Sequence, residues 1–186
     1  DEQPPSPEEY GAMVQSVAGG LDCRVFFEPG RLIAGNAGLL VARVIRAKQG
    51  SSRSFVVVDA AMNDLLRPAL YDARHAIQSV REPAAGAELQ VVEVVGPICE
   101  TGDTFGEARA LPESEPGDLL AIRTAGAYGA VMASSYNTRP LVPEVLVNGA
   151  DFSVIRDRIA VDDMLARESL PDWFNDGGGV RRKAGE

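Results

Sequence analysis

Cysteine and histidine are nearly missing from these 186 residues: Cys23 and Cys99 are the only thiols and His75 the only imidazole. Two cysteines without C-x-x-C spacing exclude a disulfide framework, and one histidine with two distant cysteines cannot furnish a usual structural zinc site. A reducing, cytoplasmic setting is the expectation. Lysine is just as scarce, with only Lys48 and Lys183 among 18 basic side chains, against 27 acidic ones and a net charge of -9. That balance argues against nucleic acid or an anionic membrane as the main partner. No apolar run approaches the roughly 18 residues of a membrane span, and no basic start precedes an apolar stretch as in a signal peptide. The chain opens on Asp1 rather than Met, so a piece of a longer protein is expected.

Apolar side chains are plentiful, at 45% of residues, enough for a real core. After the polar DEQPPSP start, Ser6-Pro7-Glu8-Glu9 combines an N-cap, a proline at the first helical position and a glutamate at the third. Tyr10, Met13, Val14 and Val17 follow at helical spacing, and Gly19-Gly20 ends the helix. CRVFFEPGR is then a continuous apolar run of the kind shown by a parallel strand covered on both faces.

From Leu39 onward the texture is β-rich: LLVARVIRAK, SFVVVDA, ELQVVEVVGPIC, DLLAIRTA, AVMASSY, EVLVNG and DFSVIRDR, most of them separated by Gly, Pro, Asn or Asp. IAVDDMLARESLP reads as a closing helix, with early acids and a proline after its end. The fold class is therefore mainly β, an antiparallel sandwich or barrel preceded by one helix-strand unit. A complete α/β barrel of about 250 residues does not fit. The Gly-rich end, GGGVRRKAGE, reads as a solvated tail.

Four segments carry chemistry-bearing residues. In FFEPGR, Glu28, Pro29 and Gly30 lead to Arg31; glycine permits close backbone approach and a guanidinium can grip a carboxylate at two points. LLRPALYDARH sets Arg67 and Tyr71 four residues apart, on one side of a helical turn if Pro68 starts it. VVGPICETGD puts Cys99 and Glu100 in a loop after a strand, and a thiol with a pKa near about 8.5 is a reasonable proton donor. TAGAYG places Tyr128 between small residues. Each alone also has a plainer reading: a strand-ending turn, an arginine lying along a helix edge, a buried thiol, a sheet-edge tyrosine. Asn63, Asp64, Arg74 and His75 lie near the second segment, and Tyr136, Asn137 and Arg139 follow the fourth; none is assigned a role.

In this order and combination, from roughly Val25 to Arg158, the segments resemble the C-terminal part of the diaminopimelate decarboxylases, pyridoxal-phosphate enzymes of the alanine-racemase-like group. The resemblance implies a remnant of the cofactor-binding α/β barrel over residues 1–38, a C-terminal β-domain over 39–176 and a flexible tail over 177–186. It further implies a homodimer with shared active sites acting on meso-diaminopimelate. Glu28, Pro29, Gly30, Arg31 and Tyr128 would line the cofactor; Arg31, Arg67, Tyr71, Glu100 and Tyr128 would bind substrate; Cys99 would return a proton. The family's lysine, which holds the cofactor aldehyde as a Schiff base, comes from an early barrel segment with no counterpart here. Lys48 and Lys183 are not credible substitutes, so the chain alone is expected to be inactive. GPICETGD also suits the ornithine and arginine decarboxylases, although ornithine enzymes typically carry Asp where Glu100 stands. A non-catalytic β-sandwich that binds ligands or partners is the alternative of another class.

Overall fold

The computed structural model describes residues 4–175, which fall into two compact units divided between Gly30 and Arg31. In the first, Ser6 caps helix α1 (Pro7–Ala18): its hydroxyl accepts from the Glu9 amide while the Glu9 carboxylate accepts from the Ser6 amide. This reciprocal box satisfies two donors that the helix start would otherwise leave open. The edge of the Tyr10 ring meets Phe27 at 6.3 Å between centroids.

Residues 24–29 hold no regular secondary structure, contrary to the strand expected over CRVFFEPGR. A strand needs neighbours for its amides and carbonyls, and no described strand pairs with this one. Its apolar side chains accordingly stay open, with Phe26 81% exposed.

Helix α2 (Gly30–Ala34) leads through a short 3-10 turn (Gly35–Ala37) into the β-domain. Strands β1 (Leu40–Gln49) and β2 (Ser54–Val58) are followed by helix α3 (Arg67–Tyr71). Then come β3 (Ile77–Ser79), β4 (Leu89–Val95), β5 (Thr104–Pro112) and β6 (Leu119–Ile122). The six strands make one sheet in the order β3-β6-β1-β2-β4-β5. Its two edge strands, β3 and β5, approach each other and nearly close a barrel. All pairings are antiparallel except β2 with β4, which is parallel. The crossover that this parallel pair demands contains α3 and β3.

The core follows from period-two alternation. Ala42 and Val44 of β1, Val56 and Val58 of β2, Val92 and Val94 of β4, and Phe105 and Leu111 of β5 all point inward and are buried. Leu65, Leu120 and Ile122 complete the cluster. Truncating fully buried Phe105 to Ala should cost about 3–5 kcal/mol, since the cavity adds to the lost transfer energy.

Strands β7 (Glu144–Asn148) and β8 (Asp151–Arg156) form a separate antiparallel hairpin turned at Gly149, whose φ of 60° suits glycine. Short helices α4 (Val161–Leu165) and α5 (Asp172–Asn175) follow. The closing helix expected from IAVDDMLARESLP is thus a single short turn, with Asp163 accepting from the Ala160 amide. AVMASSY, expected to be a strand, instead forms 3-10 turns at Ala130–Met132 and Tyr136–Thr138. Asn137 and Thr138, just past the segment, have positive φ and close the second of these turns. The tail expected over 177–186 lies outside the described residues.

Candidate active site cleft

Helix α3 is short but well specified. Pro68 occupies its first turn, and Asp72, at φ 52°, turns the chain left-handed at its end while its amide reaches back to the Arg67 carbonyl. Arg67 and Tyr71 consequently share one side of the turn, and both line an open cleft of about 580 Å³. Arg31, Arg74, His75, Thr124 and Tyr128 complete most of its wall. That volume lies within the usual range for small-molecule sites.

Three guanidiniums therefore meet at one cleft in a chain whose net charge is -9. Among the described residues, none of Arg31, Arg67 and Arg74 is paired with a carboxylate. Unpaired cations gathered around a concavity, with two phenol hydroxyls beside them, suit an anionic ligand carrying further hydrogen-bonding groups.

The loop bearing Tyr128 is held by backbone contacts. Ala125 donates to Gly38 O at 2.9 Å and Gly126 to Gly35 O at 3.1 Å. The chains approach so closely that a Cβ on Gly38 would sit 2.6 Å from the Gly126 Cα, and one on Gly126 would strike the Ala34 carbonyl. Thr124 and Tyr128 adopt φ 59° and 57°. A left-handed conformation costs a β-branched or bulky residue energy, and its presence at two wall positions marks a shape imposed by the surroundings.

His75 is the buried part of this wall, 1% exposed. Its Nδ1 lies 2.8 Å from the Arg123 carbonyl oxygen and its Nε2 3.4 Å from Arg67 Nη1. Burial, with Arg67, Arg109 and Arg31 nearby, pushes its pKa below the usual imidazole value, against the opposing bond to Arg123.

Cys99 and Glu100 do not line this cleft. They occupy an exposed turn after β4 whose geometry is fixed by buried Asp103. Asp103 Oδ2 accepts from the Ile98 amide and Oδ1 from the Met62 amide, each at 2.7 Å. Asp103 N donates to Glu100 O, closing the turn. A Cβ on Gly96 would collide with the Asp103 carboxylate, which explains the glycine opening GPICETGD. Glu28, Pro29 and Gly30 are exposed in the first unit, where the Gly30 amide bonds the Glu28 carbonyl at 2.8 Å.

A second polar group, unassigned from sequence, sits in the segment just before α3. Asp64, 5% exposed, accepts from the Ala61 amide and from Asn63 Nδ2, and forms an ion pair with Arg139 at 3.7 Å. Arg139 also donates to Asn63 Oδ1 at 2.9 Å and to the Asp59 carbonyl. Burial raises the pKa of both Asp64 and Asp103, although their backbone bonds pull the other way. The sequence cue was the NDLLRP run followed by Arg139, but nothing local links them.

Residues 13–126 match the family model of the pyridoxal-dependent decarboxylase C-terminal sheet domain. The chain belongs to this family. Among the decarboxylases it matches, it is 48% identical over 172 residues to a diaminopimelate decarboxylase of Zymomonas mobilis, covering 92% of this chain and 40% of that one. It is 50% identical over 168 residues to one of Neisseria meningitidis, covering 90% and 41%. The crystal structure of the Helicobacter pylori diaminopimelate decarboxylase complexed with L-lysine superposes with a TM-score of 0.81 at 41% identity, over 90% of this chain and 41% of that one. The chain thus spans about two-fifths of the length of the decarboxylases it matches. No described helix is long and apolar enough to cross a membrane.

The family implies pyridoxal phosphate, and the cleft's donor set fits that cofactor's phosphate group rather than its aldehyde. Guanidiniums and phenol hydroxyls are present, but among the described residues no lysine lines the cleft. Lys48 is exposed on β1, while Lys183 lies outside the described residues.

Proposed function

We propose that the chain is the C-terminal part of a diaminopimelate decarboxylase, converting meso-2,6-diaminopimelate to L-lysine and carbon dioxide when its cofactor-binding barrel is supplied. The observation that carries this reading is the convergence of Arg31, Arg67, Arg74, Tyr71 and Tyr128 on one cleft, with no carboxylate partner for these arginines among the described residues. Ornithine offers only an ammonium at its distal end, which unpaired guanidiniums repel. Diaminopimelate offers a carboxylate there as well, which they bind.

Arg67 and Tyr71 hold that distal carboxylate, while Arg31 and Tyr128 serve both the substrate and the cofactor phosphate. Glu28, Pro29 and Gly30 line the cofactor beside Arg31. Pyridoxal phosphate, when bound, would supply the electron sink that loss of carbon dioxide from the α-carbon requires. Cys99 Sγ–H then delivers a proton to that carbon and recovers one from solvent. Glu100 accepts a hydrogen bond from the distal ammonium. Cys99 and Glu100, which do not line the cleft of their own chain, act in the cleft of a second copy within a homodimer, the arrangement that the resemblance implies. Both cysteines are free and exposed, as the reducing cytoplasm permits.

The test is to combine the chain with the N-terminal portion of the Zymomonas mobilis relative and measure carbon dioxide release from meso-diaminopimelate, ornithine and arginine. Release from diaminopimelate alone is expected. Preference for ornithine or arginine would reassign the substrate, and silence from a folded, associated assembly would favour a non-catalytic binding module.

A further inference from the structure

Proton bookkeeping around His75 leads past the residues already assigned. A backbone carbonyl can only accept, so the 2.8 Å contact with Arg123 O requires His75 Nδ1 to carry the hydrogen. In the neutral ring that leaves Nε2 with a free lone pair, and the group facing it is the Arg67 guanidinium, which can only donate. The two demands select the neutral Nδ1–H tautomer. A protonated ring would instead turn a donor toward Arg67, among the positive charges of Arg31 of α2, Arg109 of β5 and Arg67 of α3.

We propose that His75 is a positioning residue: its Nε2 fixes the Arg67 guanidinium at the cleft wall, so that Arg67 meets the substrate carboxylate already oriented. The inference rests on the reading of this cleft as the substrate's distal pocket. Among the described residues, the bond to His75 is the sole side-chain hydrogen bond of Arg67. It is therefore the one directional restraint on a long, flexible side chain that has no ion pair of its own. Tyr71, one turn along α3, shares the wall but makes no bond to Arg67. The burial and positive neighbours that hold His75 below the ordinary imidazole pKa keep the acceptor available at neutral pH.

Because the chain has one histidine, ¹⁵N-histidine labelling gives its ring signals without assignment. The Nδ1–H, neutral form is expected at pH 7, and Arg67→Met should shift the Nε2 signal while Nδ1 stays protonated. An Nε2–H tautomer, or an Nε2 signal indifferent to Arg67→Met, would overturn the proposal.

Two variants then separate positioning from simple support, in the chain combined with the Zymomonas mobilis N-terminal portion. His75→Asn keeps a donor near the Arg123 carbonyl but withdraws the acceptor from Arg67, whereas His75→Gln returns an amide oxygen toward the Nε2 position. The Asn variant should raise KM for meso-diaminopimelate about tenfold with kcat changed less than twofold, and the Gln variant should recover most of it. An Asn variant with the parent KM would also overturn the proposal. If the parent assembly has no activity, the decarboxylase reading fails by itself, and the ring spectra still decide whether His75 holds Arg67.

Discussion

Asp103 and Met62, far apart in sequence, are joined by a 2.7 Å bond from the Met62 amide to the Asp103 carboxylate. The other oxygen of the same carboxylate takes the Ile98 amide, so one buried acid ties the segment entering α3 to the turn that presents Cys99 and Glu100. The segment that leads into the cleft wall and the turn that carries Cys99 and Glu100 are therefore mechanically linked.

Replacing Asp103 with Asn puts an NH2 group opposite one of these amides. Leaving a buried donor unsatisfied costs about 1–3 kcal/mol. Urea unfolding of Asp103→Asn should show that loss, and the assembled enzyme should lose kcat through a misplaced Cys99. An unchanged unfolding midpoint would contradict the assigned role.

Acid should act on the fold in two opposing senses. The folded pKa of His75 is lowered, so its contribution is complete above the unfolded value near about 6.5 and is lost as pH falls through the folded one. Asp64 and Asp103 have raised folded values, so their contribution is complete below about 3.8 and is lost as pH rises through the folded ones. Urea midpoints taken from pH 8 downward should fall below about 6.5, and His75→Gln should flatten that descent. Asp64→Asn should remove part of the opposite slope at lower pH. Identical pH profiles for all three proteins would refute both assignments.

Strand patterning was legible because alternating burial leaves a direct trace in β1, β2 and β4. The nine-residue β5 was hidden by charged positions, Gly106 and Pro112, and the three-residue β3 by its brevity. VFF misled because a run apolar enough for a buried strand has no described neighbour to pair with. AVMASSY misled because 3-10 turns begin at both its ends and its Ser134 amide bonds the distant Asn63 carbonyl, a partner that only the folded chain supplies. The cleft residues Arg31, Arg67, Tyr71 and Tyr128 stood out through their segments. Asp103, Arg139 and His75 did not, because their partners are backbone groups or side chains that only the folded chain brings near.

Close packing beneath Tyr128 gives another expectation. A methyl group on Gly126 would strike the Ala34 carbonyl and separate the Tyr128 loop from the segment following α2. Gly126→Ala should destabilise the chain by about 1–3 kcal/mol and raise KM in the assembled enzyme. A Gly129→Ala control meets the Ala125 carbonyl within the loop itself and should disturb Tyr128 too. Parent-like thermal unfolding and KM in both variants would show that the loop has more room than described.

Charge alone does not explain the cleft if Arg67 grips a carboxylate at two points. Arg67→Lys keeps the charge but loses the planar fork, and should raise KM for diaminopimelate about tenfold. Tyr71→Phe should cost less, because it removes a single hydrogen bond to the carboxylate and leaves the Arg67 fork in place. Steady-state kinetics on the assembled enzyme would check this order, and a reversal would move the distal carboxylate away from Arg67.

The most direct measurement is the ratio of kcat/KM for meso-diaminopimelate to that for ornithine, taken on the chain combined with the N-terminal portion of its Zymomonas mobilis relative. A cleft built around a distal carboxylate predicts a preference for diaminopimelate of about a hundredfold or more, largely abolished by Arg67→Met. Comparable turnover of ornithine, or a preference that survives loss of the Arg67 guanidinium, would contradict it.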